Sequence, residues 1–304
     1  PTSDYPMGLK FVRHNTYEFY KELASAKVII ENTNIVERLY AYKKKDQFLL
    51  QTWHGSLGIK RLDGDVVMGF RWKQLAKRCQ KTVDYLLSNS DFETEVFRTA
   101  YWKDVPSILV GHARNDIFFM KDQEKIAQIN KKVHRFLNID EDTHIFLFAP
   151  THRDDVDESY QPLNYEIIKE ALEERFGGKW QIVIRLHNRL KKESRSWLNL
   201  LPSYVSDATF YEDMQELLLC TDVGLTDYSS WIFDFVLSGK PGFIIELNLE
   251  DYENARGFYY PIDTTPFPIA TSSEELAANI RKFDAEKYAK DKEVFLAARG
   301  CMED

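Results

Sequence analysis

Asp222-Val-Gly-Leu-Thr-Asp-Tyr-Ser-Ser-Trp-Ile-Phe-Asp-Phe-Val-Leu-Ser-Gly-Lys-Pro241 is the stretch that decides the fold. Its first five residues form an apolar run that predicts a buried strand ending at Thr226. Ser230–Ser238 then predicts a helix, and Gly239 is placed to end it. Thr226, Ser229 and Ser230 are three hydroxyls at the strand-to-helix turn, with Asp227 among them. The first turn of a helix has unpaired N–H groups and a partial positive charge, so it suits a phosphate. In open α/β sheets, ligands bind beyond the carboxyl ends of the strands. The plainer alternative is that Ser229 or Ser230 simply caps a core helix.

Outward from this stretch, short apolar runs alternate with amphipathic ones. Strands are predicted at Lys27–Ile30, Phe48–Trp53, Asp84–Ser88, Ser107–Gly111, His144–Ala149, Trp180–Leu186, Asp222–Thr226 and Pro241–Glu246. Helices are predicted at Thr16–Ser25, Phe70–Lys81, Phe92–Tyr101, Asp122–Leu137, Asn164–Phe176, Met214–Cys220 and Ser230–Ser238. Such alternation implies an α/β protein with parallel sheets wound by helices. The pattern falls into two sets, with a boundary expected near residues 117–123. The expected domains are therefore 1–119 and 120–304, with a charged helical tail over Ser272–Ala298.

The 304 residues are 44% hydrophobic and 14% aromatic, which excludes a disordered chain. A net charge of −8 argues against nucleic acid as a partner. Cys79, Cys220 and Cys301 are scattered without metal spacing and fit a reducing compartment. No run approaches the roughly 18–20 apolar residues that span a bilayer. Pro1 is no translation start, so a processed, excised or renumbered chain is expected. There is no G-x-G-x-x-G or Walker A loop, and no H-E-x-x-H, C-x-x-C or G-x-S-x-G pattern. With only 13 glycines, a dehydrogenase or P-loop NTPase is disfavoured.

Charge is uneven along the chain. Lys60, Arg61, Arg71, Lys73, Lys77, Arg78 and Lys81 face only Asp63 and Asp65 within one segment. Phe70, Trp72, Leu75 and Ala76 interleave with them at helical spacing. Such a helix can lie on an anionic membrane surface, or be a solvated helix packed on its own domain.

Other predicted strands also end in polar clusters. Phe48–Trp53 leads into His54 and Gly55, a proton-transfer side chain beside a residue that lets backbone approach a ligand. His144–Ala149 leads into Thr151, His152, Arg153 and Asp154. Trp180–Leu186 carries Arg185 and leads into His187 and Arg189, and Gly111 leads into Arg114, Asn115 and Asp116. Each has a plain structural reading when taken alone. Together they predict a cleft enzyme in which arginines and helix-terminal N–H groups hold a phosphate-bearing ligand while histidine activates a hydroxyl.

These segments resemble, in order, the CDP-glycerol glycerophosphotransferase family of teichoic-acid and capsule polymerases and primases. The matching stretches are Gln51–Ser56 with Lys60, Ser88–Asp91, Arg114–Asp116, Ala149–Asp154, Arg185–His187, Thr226–Ser230, Asp234 with Lys240-Pro241, and Glu253 with Arg256–Phe258. The resemblance implies a GT-B-like architecture, two Rossmann-like domains facing across a cleft. The first would be an acceptor and membrane-side domain, short by about one βα unit before Phe11, and the second would hold the donor. It implies transfer of glycerol phosphate or ribitol phosphate from a CDP-alditol to a hydroxyl of a lipid-linked acceptor, with release of CMP. His54 would be the general base and His187 the second catalytic histidine. Arg153, Arg185, Arg114, Thr226, Asp227, Ser229 and Ser230 would bind the donor. Gly55, Ser56 and Lys60 would form the acceptor-side loop. Arg71, Trp72, Lys73, Lys77, Arg78 and Lys81 would form a membrane patch at the cytoplasmic face of a bacterial membrane. No tightly bound cofactor or metal is expected, Mg²⁺ being at most loosely held on the donor; homo-oligomerisation stays open. The chain departs from the family at Ser56-Leu57, at Asn188, at His152 and at the Gly111-His-Ala stretch, which bears on donor and acceptor preference. Two alternatives remain: a GT-B glycosyltransferase using a nucleotide sugar, and an inactive auxiliary relative that binds polymer.

Overall fold

Phe146-Leu-Phe148, Ile182-Val-Ile184, Val223-Gly-Leu225 and Phe243-Ile-Ile245 are apolar without alternation. Strands that read this way are covered on both faces, and all twelve residues are buried. The computed structural model describes residues 8–33, 43–58, 60–66, 70, 74, 81–151, 163–186, 201–246 and 257–301. Packing divides the chain into two units, 1–54 with 62–110, and 55–61 with 111–304. The sequence suggested a change-over near 117–123. Packing places it at Val110/Gly111 and assigns Gly55–Arg61 to the second unit.

The first unit holds α1 (Tyr17–Ser25), β1 (Val28–Glu31), β2 (Phe48–Gln51), β3 (Tyr85–Ser88), α2 (Asp91–Ala100) and β4 (Ser107–Leu109). Its four strands are parallel in the order β1-β2-β3-β4. Leu49 and Leu86 point to one face and are fully buried with Phe97, Trp102 and Val105. Ser90 starts α2 by accepting from Glu93 N at 3.1 Å, and the Glu93 carboxylate accepts from Asn89 N at 2.9 Å. That reciprocal pattern satisfies two donors at the helix start.

The second unit holds α3 (Gln123–Leu137), β5 (Thr143–Phe148), α4 (Tyr165–Phe176), β6 (Lys179–Ile184), β7 (Val205–Asp207), α5 (Met214–Cys220) and β8 (Val223–Thr226). They are followed by α6 (Trp231–Phe235), β9 (Gly242–Ile245), β10 (Ile269–Ala270), α7 (Ser273–Arg281) and α8 (Ala285–Ala297). Strand order is β10-β9-β8-β5-β6-β7, all parallel. From β5 the chain winds outward through β6 and β7, then returns to β8 on the other side and winds away through β9 and β10. The reversal between β5 and β8 is a topological switch point, the place where a doubly wound sheet opens a crevice.

All eight predicted strands form. β7 and β10, of three and two residues, are additional. The expected helix Ser230–Ser238 is α-helical only over Trp231–Phe235 and tightens to a 3-10 turn over Val236–Ser238. The tail forms two helices. It breaks where Phe283 turns into the core and Asp284 caps α8 through Lys287 N at 2.9 Å. Of the predicted helix Phe70–Lys81, only Phe70, Gln74 and Lys81 lie within the described residues. No helix among the described residues is long and apolar enough to cross a membrane.

Candidate active site

The switch point is built from the carboxyl ends of β5 and β8. Ala149 O, just past β5, accepts from Thr226 Oγ1 at 2.8 Å and from Trp231 Nε1 at 2.7 Å. Asp227 Oδ1 accepts from Thr151 N at 2.7 Å and Tyr228 N at 2.5 Å. Thr226 and Asp227 are buried. They hold the two loops together, where the sequence suggested that they face a phosphate.

Ser229 and Ser230 differ from them. Both are half-buried. Ser230 occupies the N-cap position in helical conformation, with φ −69° and ψ −13°, and makes no side-chain capping bond. Among the described residues neither hydroxyl takes a hydrogen-bond partner. The capping alternative is therefore not what these serines do.

Gly55–Gly58 with Lys60 and Arg61, all in the second unit, lies against this turn as a strap. Leu57 is buried. A Cβ on Gly58 would come within 3.1 Å of Ser230 Cβ, so only glycine lets the backbone pass this close without displacement. Lys60 Nζ donates to Thr151 Oγ1 at 2.9 Å, and Lys60 forms an antiparallel bridge with Phe258. Arg61 N donates to Gly257 O at 3.1 Å, and Arg61 Nε to Phe258 O at 3.2 Å. Tyr260 donates its phenol proton to Leu57 O.

Arg114 supports the strap from below. Its Nε and Nη2 bind Asp234 at 2.8 and 3.1 Å, the two-pronged geometry that matches guanidinium to carboxylate. Nη2 also donates to Gly55 O at 2.6 Å. Asn115 Nδ2 donates to Asp234 Oδ1 at 2.9 Å, and Gln215 Nε2 donates to Asn115 Oδ1 at 2.7 Å. Arg114, expected to bind donor phosphate, is thus committed to Asp234 and to the strap backbone. Spacing could not reveal this, because the partners lie 120 and 59 residues away.

Arg185 leaves β6 half-buried and donates Nη1 to Tyr211 O at 2.6 Å. Burial lowers its pKa, while Asp213 and Tyr211 oppose that shift. Lys240 serves the fold: Nζ donates to Leu219 O at 2.8 Å and Thr221 O at 2.6 Å, satisfying carbonyls at the end of α5.

In the first unit, His54 follows β2 and is exposed. Its Nδ1 lies 2.6 Å from Asn32 O. A carbonyl only accepts, so Nδ1 carries the proton and the neutral ring keeps its lone pair on Nε2. The Trp53 ring lies 4.4 Å from the imidazole at 32° and is wedged edge-on against Trp102 at 5.5 Å. Trp53 itself has φ +55°, a left-handed conformation costly for a bulky residue. Gln51 Oε1 stabilises it by accepting from Trp53 N at 2.8 Å. Asn32 as the tautomer-setting partner went unread in the sequence.

His187, Arg153, Arg71, Trp72, Lys73, Lys77 and Arg78 lie outside the described residues. Lys81 is exposed in a turn, and Ser56 is half-buried within the strap. Among the described residues no group of three or more His, Cys, Asp or Glu side chains could hold a metal ion.

A four-stranded parallel sheet in one unit and a doubly wound parallel sheet in the other, with a serine-lined turn at its switch point, define a GT-B-like α/β protein. The chain matches the CDP-Glycerol:Poly(glycerophosphate) glycerophosphotransferase family across residues 3–301 and belongs to it. It is 31% identical to the teichoic acid poly(glycerol phosphate) polymerase of Staphylococcus epidermidis, over 92% of this chain and 39% of that protein. The teichoic acid glycerol-phosphate transferase of Staphylococcus aureus is 29% identical, over 98% and 78% of the two chains. Among solved structures, the wall teichoic acid polymerase TagF superposes with a TM-score of 0.76 at 29% identity, over 95% of this chain and 72% of that one. A variant of that polymerase soaked with CDPG superposes equally well. The chain spans about two fifths of the length of the S. epidermidis polymerase.

Proposed function

We propose that this chain transfers an alditol phosphate, glycerol phosphate or ribitol phosphate, from a CDP-alditol to a hydroxyl of a lipid-linked teichoic-acid or capsule acceptor, releasing CMP. One observation carries the reading: the family's Thr-Asp-Tyr-Ser-Ser segment falls at the switch point with the Ser229 and Ser230 hydroxyls unspent. Family membership and the CDPG-soaked relative support the choice of donor.

In this mechanism His54 Nε2 takes the proton of the acceptor hydroxyl. The acceptor oxygen forms a bond to the β-phosphorus, and the bond from that phosphorus to the bridging oxygen of CMP breaks. CMP leaves with the electron pair. Negative charge grows on the phosphoryl oxygens in the transition state, and fixed donors stabilise it. Ser229 and Ser230 supply such donors, with Arg153, His187 and Arg185 assigned to the same task from their places in the family motifs. The segment carrying Arg71, Trp72, Lys73, Lys77, Arg78 and Lys81 is assigned to an anionic membrane surface at the cytoplasmic face.

The test is a CMP-release assay on the purified chain with CDP-glycerol and CDP-ribitol in turn and a lipid-linked glycerol-phosphate acceptor analogue. Acceptor-dependent CMP from one donor names the alditol. His54→Ala should lower turnover by about 10²–10⁴-fold, the range of general-base help, with donor affinity retained. Release of UDP or GDP from a nucleotide sugar instead would sink the proposal.

A further inference from the structure

Tyr260, which touches the strap, and Arg299, which touches Tyr260, are polar groups to which the proposed chemistry gives no task. Tyr260 donates its phenol proton to Leu57 O at the centre of the strap. The guanidinium carbon of Arg299 lies 4.1 Å from the Tyr260 ring centroid and 3.6 Å from that of Phe295. A cation that meets the faces of two aromatic rings is held by charge–quadrupole attraction to both. Arg299 is fixed further by Nη1 donating to Phe295 O at 3.1 Å and Nη2 to Thr264 Oγ1 at 3.4 Å. Phe295 meets Tyr260 edge-on at 6.1 Å and 67°. Burial raises the pKa of the Tyr260 phenol, so the hydroxyl stays a proton donor at neutral pH.

A line of contacts therefore runs from the end of α8 to the serine turn. Arg299 clamps Tyr260; Tyr260 holds the carbonyl of Leu57; and the next residue, Gly58, passes Ser230 so closely that a Cβ there would lie 3.1 Å from Ser230 Cβ. The other end of the strap is joined to His54 by a single peptide bond. We infer that Tyr260, clamped by Arg299, is a positioning residue: it seats the Gly55–Arg61 strap that borders both the candidate base in sequence and the candidate donor turn in space. The catalytic half of this inference rests on the proposed transfer; the mechanical half does not.

Tyr260→Phe removes only the hydroxyl and leaves the ring beneath Arg299. Hydrogen exchange of the 55–61 peptide, measured by mass spectrometry on the full chain, should speed up by about tenfold, the factor that one lost hydrogen bond carries. In the CMP-release assay kcat should fall by about tenfold while donor KM stays within about twofold, since misplacement of a reacting group acts mainly on the chemical step. Arg299→Lys keeps the charge but loses the guanidinium that reaches Phe295 O and Thr264 Oγ1 together, so it should show the same pattern more weakly. Unchanged exchange in both variants overturns the inference, as does a fall in kcat matched by an equal loss of folded protein. If the wild-type chain releases no CMP from either donor, the proposed transfer fails. The exchange comparison still decides whether Tyr260 seats the strap.

Discussion

Replacing Asp234 with alanine should destabilise the second unit by an amount the geometry sets. The carboxylate is 8% exposed and accepts from Arg114 Nε at 2.8 Å, Arg114 Nη2 at 3.1 Å and Asn115 Nδ2 at 2.9 Å. Removing one partner of a fully buried ion pair costs about 3–5 kcal/mol, mostly because the other charge is stranded. Arg114 is 24% exposed and keeps its bond to Gly55 O, so water and that carbonyl relieve part of the penalty. A loss of about 2–3 kcal/mol is expected after that discount. For a unit of this size it corresponds to a fall in Tm of about 5–10 °C. Urea unfolding followed by far-UV circular dichroism reads the loss directly. Arg114→Met in the Asp234→Ala background removes the stranded cation, so the double variant should be more stable than the sum of the single losses by about 1 kcal/mol or more. A single-variant loss below about 0.5 kcal/mol, or strict additivity, would refute the reading of Arg114 and Asp234 as a structural pair.

Three further outcomes are expected. Ser229→Ala and Ser230→Ala should each weaken binding of the CDP-alditol by about tenfold, the value of one hydrogen bond, in a calorimetric titration. Unfolding free energy should meanwhile stay within about 0.5 kcal/mol, because neither hydroxyl caps α6; a loss near 1 kcal/mol would restore the capping role. Gly58→Val should abolish donor binding while Gly58→Ala weakens it only a few-fold, since a single Cβ meets Ser230 Cβ at 3.1 Å and a branched side chain has no such room. Burial pushes the Cys220 thiol up to about 12 from an ordinary 9. Thiolate is the reactive form, so peptide-resolved alkylation at pH 8 should label Cys220 at least about tenfold more slowly than Cys301. The folded-state pKa is raised, so the stability Cys220 contributes is complete below pH 9 and falls as pH rises towards about 12. Rapid native labelling of Cys220 would show that the end of α5 is open.

The core strands were legible because burial on both faces writes itself as an unbroken apolar run, as in Ile182-Val-Ile184. β7 and β10 escaped notice because two- and three-residue edge strands, only partly buried, carry no such run. The break in the tail has no glycine or proline to mark it; its one sign was Asp284, a good N-cap just ahead of Ala285-Glu286. Residue types and their places at strand ends were readable, the hydroxyls after β8 and, in the other unit, His54 after β2. The division of labour among them was not. Thr226 and Ser229 are both hydroxyls at one turn, yet one is tied to Ala149 O and the other is unspent. That difference arises from pairings between residues far apart in the chain, on which local periodicity is silent. The same holds for Asn32, whose carbonyl sets the tautomer of a histidine 22 residues later.

Seven residues of strap have a bearing on how this protein can be taken apart. Packing assigns Gly55–Arg61 to the second unit although both flanking stretches belong to the first, so the chain changes unit at three places. A fragment beginning at Gly111 would leave Arg114 without Gly55 O, Tyr260 without Leu57 O and the seat of the Leu57 side chain empty. Neither unit is therefore a contiguous cassette. Recombination that exchanged one second unit for another would have to carry a matching strap from a separate stretch of the gene. Chimaeras joined at Val110/Gly111 alone should express poorly, unless residues 55–61 travel with the unit they belong to.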